Sequence, residues 1–188
     1  MSVVYIVKLV SLIIIVIMII ASFIAKKSAQ RNIWKQDDNA VFDYVYDKLC
    51  AKSDYGDDLS QLNDHEQVFM AMAFIAVEVN NGGFDQFFFN KGTRWNDILV
   101  PAAKAIKAYE VAAICKKALD IYNEHSNQVE PIEELNECDQ EFYNCNDPYM
   151  TLIAQYARNN KEYFKIKYLW LNLLSVFWLS FMVCTPYI

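Results

Sequence analysis

The stretch EVNNGGFDQFFFN, residues 78–90, decides how this chain folds. It holds two of the four glycines and four of the twelve phenylalanines, with three asparagines and a glutamine among them. The apolar run HEQVFMAMAFIAVEV before it places Val68, Phe69, Met72, Ile75, Ala76 and Val79 at helical spacing. That helix needs a stop, and Asn80, Asn81, Gly82 and Gly83 supply one, because Asn and Gly tolerate the left-handed conformation that closes a helix. Phe84 then folds back on the last turn, and Asp85 reads as the N-cap of a short second helix. Phe84 and Phe89 fall at its staple positions N′ and N4. Phe84, Phe87 and Phe88 are spaced i, i+3, i+4 and share one buried face. Gln86 and Asn90 are placed to hydrogen-bond exposed backbone at the corner.

Working outward, the chain reads as all-α. Val41, Phe42, Val45, Tyr46 and Leu49 form a helical stripe, and SDYGDDLSQLND after it is rich in turn residues. KGTRWND reads as a loop. ILVPAAKAIKAYEVAAICKKALDIY gives one broken helix or two consecutive ones, with a break near Tyr109 and Glu110. NEHSNQVEPIEELNECDQ reads as a polar linker. EFYNCNDPYMTLIAQYARNNKEYF returns to helix, with Pro148 in its first turn. Few stretches alternate at period two, and roughly 140 residues suffice for one helical core.

The two ends differ from this body. Residues 9–25 carry no charge, and residues 168–188 carry none either. The first run has no small-x-small cleavage site after it, so it reads as a retained transmembrane anchor rather than a cleaved signal. The second is a candidate second span, an interface-lying helix or a helix that docks on a partner, with Trp170, Trp178 and Tyr187 suited to an interface. Lys26, Lys27, Arg31 and Lys35 follow the first run, and Lys161, Lys165 and Lys167 precede the second. The positive-inside rule then predicts a membrane protein, in contact with lipid, with residues 26–167 on the cytoplasmic side. The expected organisation is an anchor at 1–25, a basic-to-acidic linker at 26–38, a helical domain at 39–167 and a hydrophobic segment at 168–188. Five cysteines without a C-x-x-C fit reduced thiols.

Charge is concentrated in the body. Residues 37–149 hold twenty-two acids against eight bases. Residues 118–149 hold nine acids and no Lys or Arg: Asp120, Glu124, Glu130, Glu133, Glu134, Glu137, Asp139, Glu141 and Asp147. Such a face either keeps the protein soluble or meets a basic partner. An array of carboxylates can imitate duplex phosphates, since a nucleic-acid-binding surface is built to neutralise that charge. Direct nucleic-acid binding is not expected of it.

Chemistry-bearing patterns are sparse. His65 and His125 lie in no metal-ligand spacing, and DYGDD is too short for a calcium loop, so neither metal nor cofactor is expected. Asp64, His65 and Glu66 read as a helix start, where acids complement the dipole. No nucleophile elbow or phosphate loop occurs. A hydrolase or transferase site would need a pocket at the glycine corner lined by Asn80, Gln86 and Asn90. The chain is read as not an enzyme.

The phrase E-x-N-N-G-G-F-x-Q-F-F-x-N resembles the hallmark of the bacterial DNA-mimic protein family. It is carried by Glu78, Asn80, Asn81, Gly82, Gly83, Phe84, Gln86, Phe87, Phe88 and Asn90. The Ala-rich helix, acidic linker and NDPYMTLIAQYARNNKEYF follow in order, so the resemblance covers about residues 39–164. It implies a helical acidic domain that pairs as a homodimer and occupies a basic DNA-binding protein. The hydrophobic ends depart from that pattern. The expected function is a membrane-tethered, non-catalytic protein-binding domain with an acidic surface. The alternative is a membrane-anchored inhibitor or immunity-type protein that binds its target without imitating DNA.

Overall fold

The computed structural model describes residues 3–125 and 131–164. Helix α1 spans Val3–Ile33, α2 Asp38–Lys52, α3 Asp64–Phe74 and α4 Asn80–Lys91. After them come α5 Asn96–Ala105, α6 Tyr109–Glu124, α7 Leu135–Tyr143 and α8 Tyr149–Asn159. No strand occurs among the described residues. A turn of 3₁₀ helix, Leu59–Gln61, precedes α3, and Gly92–Trp95 forms another between α4 and α5. Ile75–Val79 is a π-helical turn that joins α3 to α4.

α3 is apolar on all sides from Phe69 onward, and a helix of that kind belongs in the middle of a core. Phe69 through Ile75 have no exposed surface at all. Helices α2, α5 and α8 pack against α3, α6 packs on α5, and α7 lies across both α4 and α6. α3 begins with a reciprocal capping box. The Asn63 side chain accepts from Glu66 N–H, and the Glu66 carboxylate accepts from Asn63 N–H. Glu66 is itself buried and receives Lys52 Nζ at 2.5 Å, so its charge is paired where water cannot reach it. The acids at this helix start therefore take the capping role read for them.

The break between α5 and α6 falls at Lys107, whose φ is +68°, one residue before Ala108 caps α6. KGTRWND is largely helical rather than a loop, because Trp95 is fully buried edge-on against Phe74 at 5.2 Å. The polar linker also contains a helix. Leu135, Cys138 and Phe142 are buried at i, i+3, i+7, and α7 presents Glu137 and Glu141 outward. Pro148 stands as the cap before α8 rather than inside its first turn.

α1 continues to Ile33, through most of the segment read as a linker. The chain then enters the body at Trp34, whose ring lies 6.3 Å from Tyr44 and 6.5 Å from Phe164. Arg158 fixes this junction. It donates to Trp34 O at 3.3 Å and Gln36 O at 2.7 Å, and pairs with Asp38 at 2.5 Å. The guanidinium fork suits such a triple contact.

The tethered topology is corrected here. Among the described residues, no helix is long and apolar enough to cross a membrane. The expected anchor is the uncharged run 9–25, extended back to Val3 across one lysine, Lys8. The anchor at 1–25, the lipid contact and the membrane localisation with 26–167 on the cytoplasmic side all rested on that span and fall with it. The candidate second span at 168–188 lies outside the described residues, as does Glu130.

Candidate functional site

The glycine corner is a closed brace. Helix α4 is kinked at Gly82 and Gly83. Gly83 has φ +79° and ψ −178°, a region open in practice only to glycine, and a Cβ there would stand 2.2 Å from Asp139 Oδ2. The kink lets the chain turn back so that Phe84, Phe87 and Phe88 are buried together, as their spacing predicts. Phe88 stacks on Tyr122 of α6 at 4.1 Å, and Phe84 meets Phe142 of α7 edge-on at 6.0 Å. Burying one such ring contributes about 1.5–3 kcal/mol. Phe89 does not staple anything: it is 88% exposed.

The motif's polar groups bind one another. Glu78 Oε2 accepts from Gln86 Nε2 and from Asn90 Nδ2, both at 2.8 Å. Its other oxygen lies 3.6 Å from Lys91 Nζ, which in turn sits 3.9 Å over the Phe74 ring. Asn81 Nδ2 donates to Gln86 Oε1 at 3.2 Å, and Asn80 Nδ2 donates to Ala76 O at 2.6 Å and to Tyr149 Oη at 3.0 Å. Gln86 and Asn90 were expected on backbone and instead serve a carboxylate. Glu78 links the π-helical turn to the far end of α4, and the amides that a reaction site would need are already engaged.

The cap of the second half of α4 also comes from elsewhere. Asp139 of α7 accepts Phe84 N–H at 2.7 Å, across fifty-five residues of sequence. Asp85, read as the cap, accepts Ile132 N–H at 3.3 Å and so holds the start of the α7 segment. Burial, with Asp85 nearby, raises the Asp139 carboxyl above its ordinary range, although the Phe84 N–H opposes the shift.

The nine acids thus divide by environment. Asp139 is a cap. Asp147 is another, accepting Val111 N–H at 3.1 Å at the start of α6. Asp120, Glu124, Glu133, Glu134, Glu137 and Glu141 are exposed on α6, on α7 and just before it. Lys117 of α6 ties the two helices together, reaching Glu137 at 3.0 Å and Glu141 at 2.8 Å, and these two carboxylates hold its ammonium well above the ordinary lysine range. Lys116 pairs with Asp120 at 2.6 Å. His125 stands 3.8 Å from Glu134. The i,i+4 pair Lys116–Asp120 was legible in the sequence, but the bridges from Lys117 span twenty and more residues and were not.

Four free thiols lie among the described residues, and Cys50, Cys115 and Cys138 are buried. Burial raises Cys50, Cys138 and Cys145, and pushes Cys115 up to about 12. His65 Nδ1 lies 2.8 Å from Tyr156 Oη, and the imidazole stacks on Tyr163 at 3.9 Å. Among the described residues, no group of three or more His, Cys, Asp or Glu is disposed to hold a metal ion.

A family model described as DMP19-like protein matches residues 60–160, more than half of the chain. No curated protein and no solved structure matches.

Proposed function

Since the chain belongs to the DMP19-like protein family, the DNA-mimic family that its motif resembles, we propose that its helical domain is a non-catalytic protein-binding module whose acidic ridge occupies a basic DNA-binding protein. The observation that carries this reading is the sorting of acids on α6 and α7. Asp139 and Asp147 are spent on caps, while Asp120, Glu124, Glu133, Glu134, Glu137 and Glu141 face solvent on α6, on α7 and just before it. A basic surface that neutralises phosphates would meet in this ridge a row of carboxylates held by packed backbone. The glycine corner supports the ridge from behind, through Asp139 to Phe84 and Asp85 to Ile132.

A second reading keeps the protein-binding role without the imitation of DNA: an inhibitor or immunity-type domain. Lys116 and Lys117 favour it, because they already neutralise part of the ridge and break its single-signed character. One experiment separates the two. The immobilised chain is offered the heparin-retained protein fraction of the source cells. Mimicry expects a captured protein that duplex DNA displaces, and that elutes with moderate salt. A captured protein indifferent to both contradicts mimicry and supports the inhibitor reading.

A further inference from the structure

Phe89 is the most exposed large apolar side chain among the described residues, at 88%. Its neighbours in sequence hold it outward. Phe88 before it is stacked on Tyr122 of α6, and Asn90 after it donates to Glu78. The backbone that carries Phe89 is therefore fixed on both sides, and the ring is already in place for a partner. A single exposed apolar residue is ordinary on a protein surface, so its surroundings decide what it can do.

Those surroundings are acidic. Residues four apart on a helix share a face, so Phe89 stands beside Asp85. Asp85 accepts Ile132 N–H at 3.3 Å, which brings the entry to α7 to the same face. Glu133 and Glu134 follow directly and are exposed. The ring thus stands at the end of the acidic ridge. The nearest cations in the sequence are engaged elsewhere: Lys91 lies against Glu78 and over the Phe74 ring, and Arg94 pairs with Asp57 at 2.8 Å. An aromatic face attracts a cation, and carboxylates beside it add to that attraction. Arginine suits both at once, because its planar guanidinium stacks on a ring while its N–H edge stays free for carboxylates. The lysine ammonium is a compact point charge without that division of faces.

We propose that Phe89 is an aromatic platform at the end of the ridge and takes an arginine side chain of the basic partner, its guanidinium stacked on the ring and its N–H edge turned to the Glu133 and Glu134 carboxylates. This rests on the acidic-ridge reading above and adds to it a preference for arginine over lysine. Exposed aromatic anchors carry a large share of the energy in many protein interfaces, and this one is bordered by the charge that selects its occupant.

The test titrates the full-length chain with an oligoarginine and an oligolysine peptide of equal length at low ionic strength. Phe89→Leu keeps an apolar side chain and removes the aromatic face, whereas Phe89→Tyr keeps both. Because the residue is exposed, both variants should melt as the parent does by circular dichroism. An exposed cation–ring contact predicts that Phe89→Leu binds oligoarginine about two- to fivefold more weakly than the parent, with a smaller loss for oligolysine. Phe89→Tyr should bind both peptides as the parent does. Equal losses for the two peptides, equal losses from Leu and Tyr, or no loss from Phe89→Leu overturn the platform. The ridge is read separately with the double variant Glu133→Gln, Glu134→Gln. If that variant weakens both peptides while Phe89→Leu weakens neither, the platform fails and the acidic surface stands. If the double variant binds both peptides as the parent does, or the parent binds neither, both readings fail together.

Discussion

Asp139 can be altered in two ways that separate its acceptor from its charge. Alanine removes the partner of Phe84 N–H at the start of the second half of α4, where Phe84 itself is fully buried. Leaving such a donor unpaired costs about 1–3 kcal/mol. For a domain of this size that is a fall in Tm of roughly 2–4 °C per kcal/mol, hence roughly 2–12 °C. Asparagine keeps Oδ1 as an acceptor and removes the charge that burial and Asp85 oppose. Asp139→Asn should therefore stay within about 1 kcal/mol of the parent at pH 7. The pH dependence follows with its sign. A carboxyl raised in the folded state binds its proton more tightly there than in the unfolded chain, so its ionisation weakens the fold as pH rises through the folded value. Relative to Asp139→Asn, the parent should gain stability as pH falls through that raised value, with the gain complete below the ordinary 3.8. Thermal melts of the three proteins from pH 7 to pH 3.5 make the measurement. Equal losses from alanine and asparagine, or no loss from either, would refute the cap.

Gly83→Ala should destabilise by more than about 2 kcal/mol in urea unfolding, since it combines a glycine-only backbone region with a Cβ aimed at Asp139 Oδ2. Phe84→Ala should cost about 3–5 kcal/mol, whereas Phe89→Ser should change stability by no more than about 0.5 kcal/mol. Equal effects in denaturant titrations would return Phe89 to a stapling role. Arg158→Ala should cost about 1–3 kcal/mol by removing the ion pair to Asp38 and two carbonyl contacts. Because Arg158 holds Asp38 below the usual carboxylate range, this contribution should be present above the ordinary 3.8 and lost as pH falls through the lowered folded value, which melts at pH 7 and pH 3 will read.

The local pattern carried much of this fold. The three buried phenylalanines follow from i, i+3, i+4 spacing, and the need for a helix stop follows from the long apolar run before it. Helix α7 was hidden because six of its nine residues are polar or aromatic with polar tips, although Leu135, Cys138 and Phe142 did carry the helical period. The caps were not legible. Asp139 reaches Phe84 and Asp147 reaches Val111 across fifty-five and thirty-six residues, and no local pattern distinguishes a carboxylate that will cap a distant helix from one that will face water. The role of Glu78 was missed for a related reason. The spacing showed two amides near a corner but not that the π-helical turn would aim a carboxylate at both. The hydrophobic runs were plain to see, yet apolar composition alone did not establish what they pack against.

The most direct test of the acidic ridge is the affinity of the captured partner for the parent chain and for a quadruple variant, Glu133→Gln, Glu134→Gln, Glu137→Gln and Glu141→Gln, at two salt concentrations. Surface charge contacts at about 0.3–1 kcal/mol each predict a weakening of about tenfold or more at low salt, and a smaller loss of affinity on adding salt than the parent shows. Asp139→Asn, a change in a cap, should leave the affinity where it was. A quadruple variant that binds as tightly as the parent, with the same salt dependence, would contradict the ridge as the binding surface.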